Sequence, residues 1–142
     1  MFLTKHQKFM EQAKICSFSS NYAKYKIGCV IVLKCGKRYF GFNQQKSHPL
    51  QNKFSIVKTR KGVAKAINSY LHAEMHAITI ALRYHSLDEI ENASVYVYRV
   101  DLNGNHAMCR PCLSCMAAIK HYNISNIFYT TNDSQLCHEK IS

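Results

Sequence analysis

Residues 71–78 read LHAEMHAI and residues 109–115 read CRPCLSC. These side-chain types bind transition metals and carry protons. Cys112 and Cys115 stand three apart. At the start of a helix that spacing sets two sulfurs about one turn apart, close enough to share an ion. The free N–H groups and positive dipole end there also stabilise thiolate, the form that binds metal. Thiolates with an imidazole favour Zn2+ in tetrahedral geometry, and His72 supplies the imidazole. Three protein ligands leave the fourth position to water, which marks a catalytic zinc rather than a closed structural one. Glu74 then has a task. Zinc lowers the pKa of its water to about 7, and a carboxylate beside it can take that proton and deliver it elsewhere.

Helix geometry restricts where His72 and Glu74 can meet one metal. Two residues apart in a helix interior point about 200° apart. Histidine and glutamate therefore converge only at the N-terminal end, aimed along the axis. Asn68 and Ser69 are the expected caps just upstream. The two helix N-termini would then face each other across the zinc. His76 competes as a fourth ligand, since it is four residues beyond His72 and would close the site. It lies one turn deeper, however, and Ala73 separates His72 from Glu74, unlike the zincin spacing. His76 is read as a packed histidine. Cys109 is a second competitor, and its place before the helix puts it in the loop.

The elements that must hold these residues follow from pattern. Thr4 and Gln7 form a capping box ahead of a helix whose core face is Phe9, Met10, Ala13 and Cys16. Residues 26–33 (KIGCVIVL) are a buried strand, 34–37 a turn and 38–42 (RYFGF) a second strand, which together make a hairpin. Residues 43–67 are polar and irregular, with Pro49 and Gly62 as breakers. A helix is expected over 69–85 and a strand over 93–100. Residues 101–108 form a loop, a helix runs from Pro111 to His121, and the last clear strand is 124–131. The closing strand–helix–strand should be a right-handed parallel crossover. The order implies an α/β fold: one mixed sheet, antiparallel in its first hairpin and parallel later, covered by helices.

At 142 residues the chain has the length of one domain, 1–142, with an ordinary globular composition of 47% apolar and 19% charged residues. No apolar run is long enough to span a membrane, and the opening residues lack the apolar core of a signal peptide. The expected compartment is the cytoplasm. Seven cysteines there argue for metal ligation or packing rather than a disulfide framework. The net charge of +11 favours negatively charged partners: nucleotides, nucleic acid or phosphates generally.

His72-Ala73-Glu74 followed by Pro111-Cys112-Leu113-Ser114-Cys115 resembles the signature of the zinc-dependent cytidine and deoxycytidylate deaminase superfamily. Each half alone is a weak signal. Both, in this order and each opening a helix after strand-rich sequence, are a strong one. Gly41-Phe42-Asn43 and residues 117–131 resemble the deoxycytidylate branch, which has a parallel fourth strand. Leu113 departs from the glycine usual in tetrameric nucleoside deaminases. Arg110 departs from the acidic residue usual in transfer-RNA adenosine deaminases. The gap from His72 to Cys112 resembles that of phage-encoded members, which would make the compartment a host cytoplasm.

The resemblance implies a three-layer α/β/α fold and hydrolytic deamination of a cytosine nucleotide, with deoxycytidylate (dCMP) converted to dUMP and ammonia. It implies Zn2+ on His72, Cys112 and Cys115, and Glu74 as proton carrier. It implies the Ala73 N–H on the base carbonyl, the Arg110 carbonyl on the 4-amino group and Asn43 on the sugar. It also implies a homo-oligomer. The tail after Asn132 is short, so the fifth strand and final helix of larger relatives are expected to be reduced or absent. Residues 46–65 are rich in lysine, arginine and histidine. The plain reading is a solvated face, and the functional one is a lid whose Lys46 and His48 meet a 5′-phosphate. Three other classes stand beside the nucleotide reading: a deaminase of a base in RNA or DNA, a cytidine nucleoside deaminase, and a non-catalytic zinc module.

Overall fold

The computed structural model describes residues 4–22, 25–46, 48–54, 56–58, 64–66, 71–100, 109–131 and 135–141. In chain order the elements are α1 (Lys5–Ser17), β1 (Lys26–Val32), β2 (Arg38–Phe42), α2 (Pro49–Phe54), β3 (Ile56–Lys58) and β4 (Ala64–Ala66). They continue with α3 (Ala73–Tyr84), α4 (Leu87–Ile90), β5 (Ser94–Val100), α5 (Leu113–His121), β6 (Asn126–Thr130) and β7 (Leu136–Lys140).

The Thr4 hydroxyl accepts from the Gln7 N–H, and the Gln7 side chain accepts from the Thr4 N–H, so the expected capping box opens α1. β1 and β2 form the expected antiparallel hairpin, turning through Gly36 at a positive φ of 94° that suits glycine. The main sheet has the order β2-β1-β5-β6-β7. β5 runs antiparallel to β1, and β6 parallel to β5, the pair that α5 connects.

Both faces of this sheet are covered, which explains its continuous apolar runs. Side chains alternate between two cores. Cys29, Ile31, Val95, Val97 and Ile127 pack toward α3 and α5. Val30, Tyr96, Tyr98 and Phe128 pack toward Phe9, Met10 and Ala13 of α1. The result is three layers, α/β/α. Truncating a fully buried isoleucine such as Ile31 or Ile127 to alanine costs about 2–5 kcal/mol, so apolar packing sets the frame on which the polar residues are placed.

Two glycines allow the helices to lie directly on the strands. A Cβ on Gly28 would collide with the Ala13 carbonyl of α1. One on Gly41 would collide with the backbone of Ala73 and Ala77 in α3.

Four expectations are corrected. The helix expected from residue 69 begins at Ala73, with His72 itself as N-cap, while Asn68 and Ser69 lie outside the described residues. The stretch expected to be irregular holds α2 and a two-stranded sheet of β3 and β4. The helix expected from Pro111 begins at Leu113. A fifth strand of the main sheet is present as β7, and it runs antiparallel to β6 rather than parallel. Among the described residues no helix is long and apolar enough to cross a membrane.

Candidate active site

Helices α3 and α5 each begin on a residue that could hold metal. His72 caps α3 with extended backbone (φ −79°, ψ 153°), and Cys112 caps α5 likewise (φ −70°, ψ 174°). Neither side chain makes the usual cap hydrogen bond. Both turn toward one point. His72 Nδ1 lies 3.5 Å from Cys112 Sγ and 3.3 Å from Cys115 Sγ. Among the described residues, His72, Cys112 and Cys115 form the group able to hold a metal, with all ligand atoms within 4.8 Å of one another. Tetrahedral zinc, with Zn–S of about 2.3 Å and Zn–N of about 2.0–2.1 Å, requires N···S separations of about 3.5 Å. The donor set fits that ion in both chemistry and spacing.

The electrostatics agree. The Cys115 thiol donates to the Cys112 sulfur, and with help from His72 and Ser114 this holds the Cys112 thiol down at about 3. Cys115 is pushed well up because it keeps the proton it donates, and burial adds to this. A dication bound at this point displaces thiol protons, since thiolate is the ligating form. Burial works against protonation of His72, but the Cys112 sulfur and the charge of Glu74 outweigh it and raise its pKa.

Glu74, the second residue of α3, is 4% exposed. Burial raises its pKa, and the charge of His72 opposes the rise. The Cys115 thiol also hydrogen-bonds its carboxyl. A carboxyl raised toward neutrality beside residues able to hold a metal is suited to hold and release a proton. A family model, the cytidine and deoxycytidylate deaminase zinc-binding region, matches residues 3–131.

The chain belongs to this family.

Zinc, expected from the donor set, is the metal of these deaminases. A deoxycytidylate deaminase of Saccharomyces cerevisiae is 31% identical over 127 residues, covering 86% of this chain and 36% of the yeast protein. A tRNA-specific adenosine deaminase of Rickettsia bellii is 29% identical over 85 residues, covering 60% of this chain and 52% of that one. The chain thus spans about a third to a half of the length of these relatives. Two solved structures share the fold. The cytidine deaminase of Burkholderia pseudomallei has a TM-score of 0.65 at 18% identity, covering 97% of this chain and 93% of that one. The dCMP deaminase of cyanophage S-TIM5 in complex with dCMP and dUMP has a TM-score of 0.60 at 20% identity, covering 94% and 90%.

The other residues singled out in the sequence fall in several places. Ala73 is the first residue of α3, where a backbone N–H has no acceptor within the helix. Arg110 precedes the cysteine pair, and its exposed guanidinium is paired with both carboxylate oxygens of Glu139 on β7, at 2.6 and 3.1 Å. Asn43 is wholly buried. Its Oδ1 accepts from Ile27 N–H and its Nδ2 donates to the Tyr25 carbonyl, so the amide ties the end of β2 to the start of β1. Lys46 is exposed. His48 is half-buried, and its Nδ1 accepts from Leu50 N–H, which leaves the proton of the neutral ring on Nε2.

His76 is outside the metal group. Its Nδ1 accepts from Phe42 N–H at 3.1 Å, and its ring meets that of Phe42 edge-on. Cys109 precedes α5 and stands outside the metal group, while the loop expected over 101–108 lies outside the described residues. Cys109 is buried, its Sγ within reach of the Val97 carbonyl and Thr130, and burial pushes its thiol up to about 11.

Two residues that the sequence did not single out belong to the site. Gln51 is wholly buried in α2, and its Oε1 accepts from His72 N–H at 3.1 Å. Gln44 donates its backbone N–H to the Leu71 carbonyl and sets its side-chain nitrogen 3.1 Å from His76 Nδ1. A buried glutamine looks like any surface glutamine in one sequence, and only its place in a short polar helix before the motif could have pointed to it.

Proposed function

We propose that the chain is a single deaminase domain, 1–142, that hydrolyses the 4-amino group of a cytosine nucleotide. Its preferred substrate is dCMP, converted to dUMP and ammonia. The observation that carries this reading is the convergence of His72, Cys112 and Cys115 at two opposed helix N-termini, with the buried Glu74 carboxyl against them.

His72, Cys112 and Cys115 would hold the zinc, which when bound would supply a water acidified to a pKa of about 7. Glu74 is the catalytic residue. It accepts one proton from the attacking water and delivers it to the ring N3, then takes the remaining proton of the oxygen added at C4 and delivers it to the amine, which leaves as ammonia as C4 becomes a carbonyl. The Ala73 N–H donates to the base carbonyl, aided by the positive end of α3. The Arg110 carbonyl accepts from the 4-amino group, while its side chain is paired with Glu139 at the surface. Asn43, wholly buried with its amide bonded to Ile27 and Tyr25, acts on the sugar by shaping the end of β2 rather than by direct contact. Lys46 and the Nε2–H of His48 meet the 5′-phosphate. The domain works as a homo-oligomer in the cytoplasm.

A second reading is deamination of a base within RNA. The 29% identity to a tRNA-specific adenosine deaminase and the net charge of +11 favour it. A substrate panel with ammonia detection separates the two. It includes cytidine, deoxycytidine, their monophosphates and a transfer-RNA anticodon stem-loop. The expected result is the highest catalytic efficiency on dCMP, well above deoxycytidine. Equal efficiency on dCMP and deoxycytidine removes the phosphate contact of Lys46 and His48. Turnover of the stem-loop alone establishes the RNA reading. Zinc uptake without ammonia from any substrate overturns both.

A further inference from the structure

The backbone that delivers His72 to the metal cluster is tied from outside its own helix. Leu71 donates its N–H to the Lys46 carbonyl at 2.9 Å, and its carbonyl accepts from Gln44 N–H at 2.9 Å. The next N–H, that of His72, is taken by Gln51 Oε1. An N-cap residue has no preceding helical turn to hold it, so its orientation depends on such external bonds. These three come from Gln44, Lys46 and Gln51.

Gln51 is the unusual member. It is a polar side chain with no exposed surface, and the donor it accepts from is the backbone N–H of the metal-binding residue itself. Filling this space with an apolar side chain would leave the His72 N–H without that acceptor, a costly arrangement in a buried setting. The Cα–Cβ direction of His72 follows from its backbone, and the 3.3 and 3.5 Å separations to the sulfurs follow from that direction.

We propose that Gln51 is a positioning residue. It holds the His72 backbone so that the imidazole meets the metal in the geometry the two cysteines require. The proposal rests on the reading of His72 as a zinc ligand. Outer contacts of this kind are typically worth 10–100-fold in metal affinity. Gln51 is not one of the three residues of the metal group, and it links the segment that carries Lys46 and His48 to the ligand.

The test uses the full chain and the metal alone. Zinc affinity is measured by competition with a chelator, and ligand geometry by the absorption of Co2+ in place of zinc. Gln51→Leu keeps the bulk and removes the acceptor, and it is expected to weaken zinc binding about 10-fold or more and to alter the cobalt spectrum. Gln51→Glu keeps an acceptor oxygen at the same reach, ionised or not, and is expected to restore both. Zinc affinity in Gln51→Leu equal to that of the unaltered chain overturns the proposal. So does a loss that Gln51→Glu fails to restore, since that is the mark of a merely structural role. Hydrogen exchange on the unaltered chain covers the case in which Gln51→Leu does not fold. The His72 amide should be strongly protected, and exchange at the rate of an open amide overturns the proposal. His72→Ala separates the two levels: unchanged zinc affinity in that variant refutes the ligand reading itself, whereas its loss with Gln51→Leu unaffected refutes only the role of Gln51.

Discussion

Helix α3 starts inside the protein. Ala73 and Met75 are wholly buried, Glu74 is nearly so, Gly41 presses on the first turn from the sheet, and Gln51 holds the cap from α2. Helix α5 starts at the surface: Cys112 is exposed, and Leu113 beside it is 88% exposed. The two ends contribute to one metal group from opposite surroundings. Burial at α3 raises the pKa of a carboxyl and leaves it few conformations, which suits a proton carrier. Exposure at α5 leaves a side from which a substrate can arrive. The pair reads as a fixed wall and an open one.

Substitutions should tell the walls apart. The largest effect is expected for Glu74→Ala, which should keep about one zinc per chain yet lose turnover by about 10²–10⁴-fold. Near-native turnover with zinc bound would remove Glu74 from the mechanism. Next comes Gly41→Ala, whose methyl collides with the backbone of Ala73 and Ala77. It should destabilise the fold by about 1–3 kcal/mol in urea denaturation and lower turnover as α3 shifts.

A smaller effect belongs to His76, also on the buried side. Burial lowers its pKa, and the positive charges of Lys46, Arg83 and His48 add to this. A folded value below the unfolded one means that the unfolded chain binds more protons. Stability present above the ordinary imidazole value of 6.5 is therefore lost as pH falls through the lowered one. His76→Gln should flatten the decline in urea stability on going from pH 7 to pH 5. An unchanged slope would assign that decline to other groups. The smallest effect is expected at the open wall. Leu113→Ser should change stability by no more than about 0.5 kcal/mol. A loss as large as that of Gly41→Ala would mean that Leu113 is covered in solution, and the contrast between the walls would fail.

The metal group was legible in the sequence because metal chemistry restricts residue type and spacing so narrowly. His72, Cys112 and Cys115 follow from that restriction, and so does their meeting at helix ends. The start of α3 was misjudged for a related reason. Asn68 and Ser69 are better caps by type, but a cap whose side chain serves the metal cannot also bond the helix. α2 and β7 were not legible, because PLQNKF and LCHEK lack an apolar period. Their placement comes from tertiary contacts: Gln51 bonding His72, and Glu139 pairing with Arg110. Asn43 was read for its amide, and the fold uses that amide to join two strands. One sequence cannot tell a buried backbone tie from a ligand contact when both call for asparagine.

The distance along the chain between the two halves of the metal group has a thermodynamic consequence. His72 and Cys112 are 40 residues apart, and an unfolded chain that closed such a loop to bind an ion would lose on the order of 4 kcal/mol of entropy. The folded chain has already closed it by packing α3 and α5 on the same sheet face. Zinc therefore discriminates between folded and unfolded chains and acts as a reversible cross-link whose strength depends on free metal. Any change that loosens the frame, even at Gly28 under α1 on the far face, is then felt as weaker zinc retention when metal is scarce.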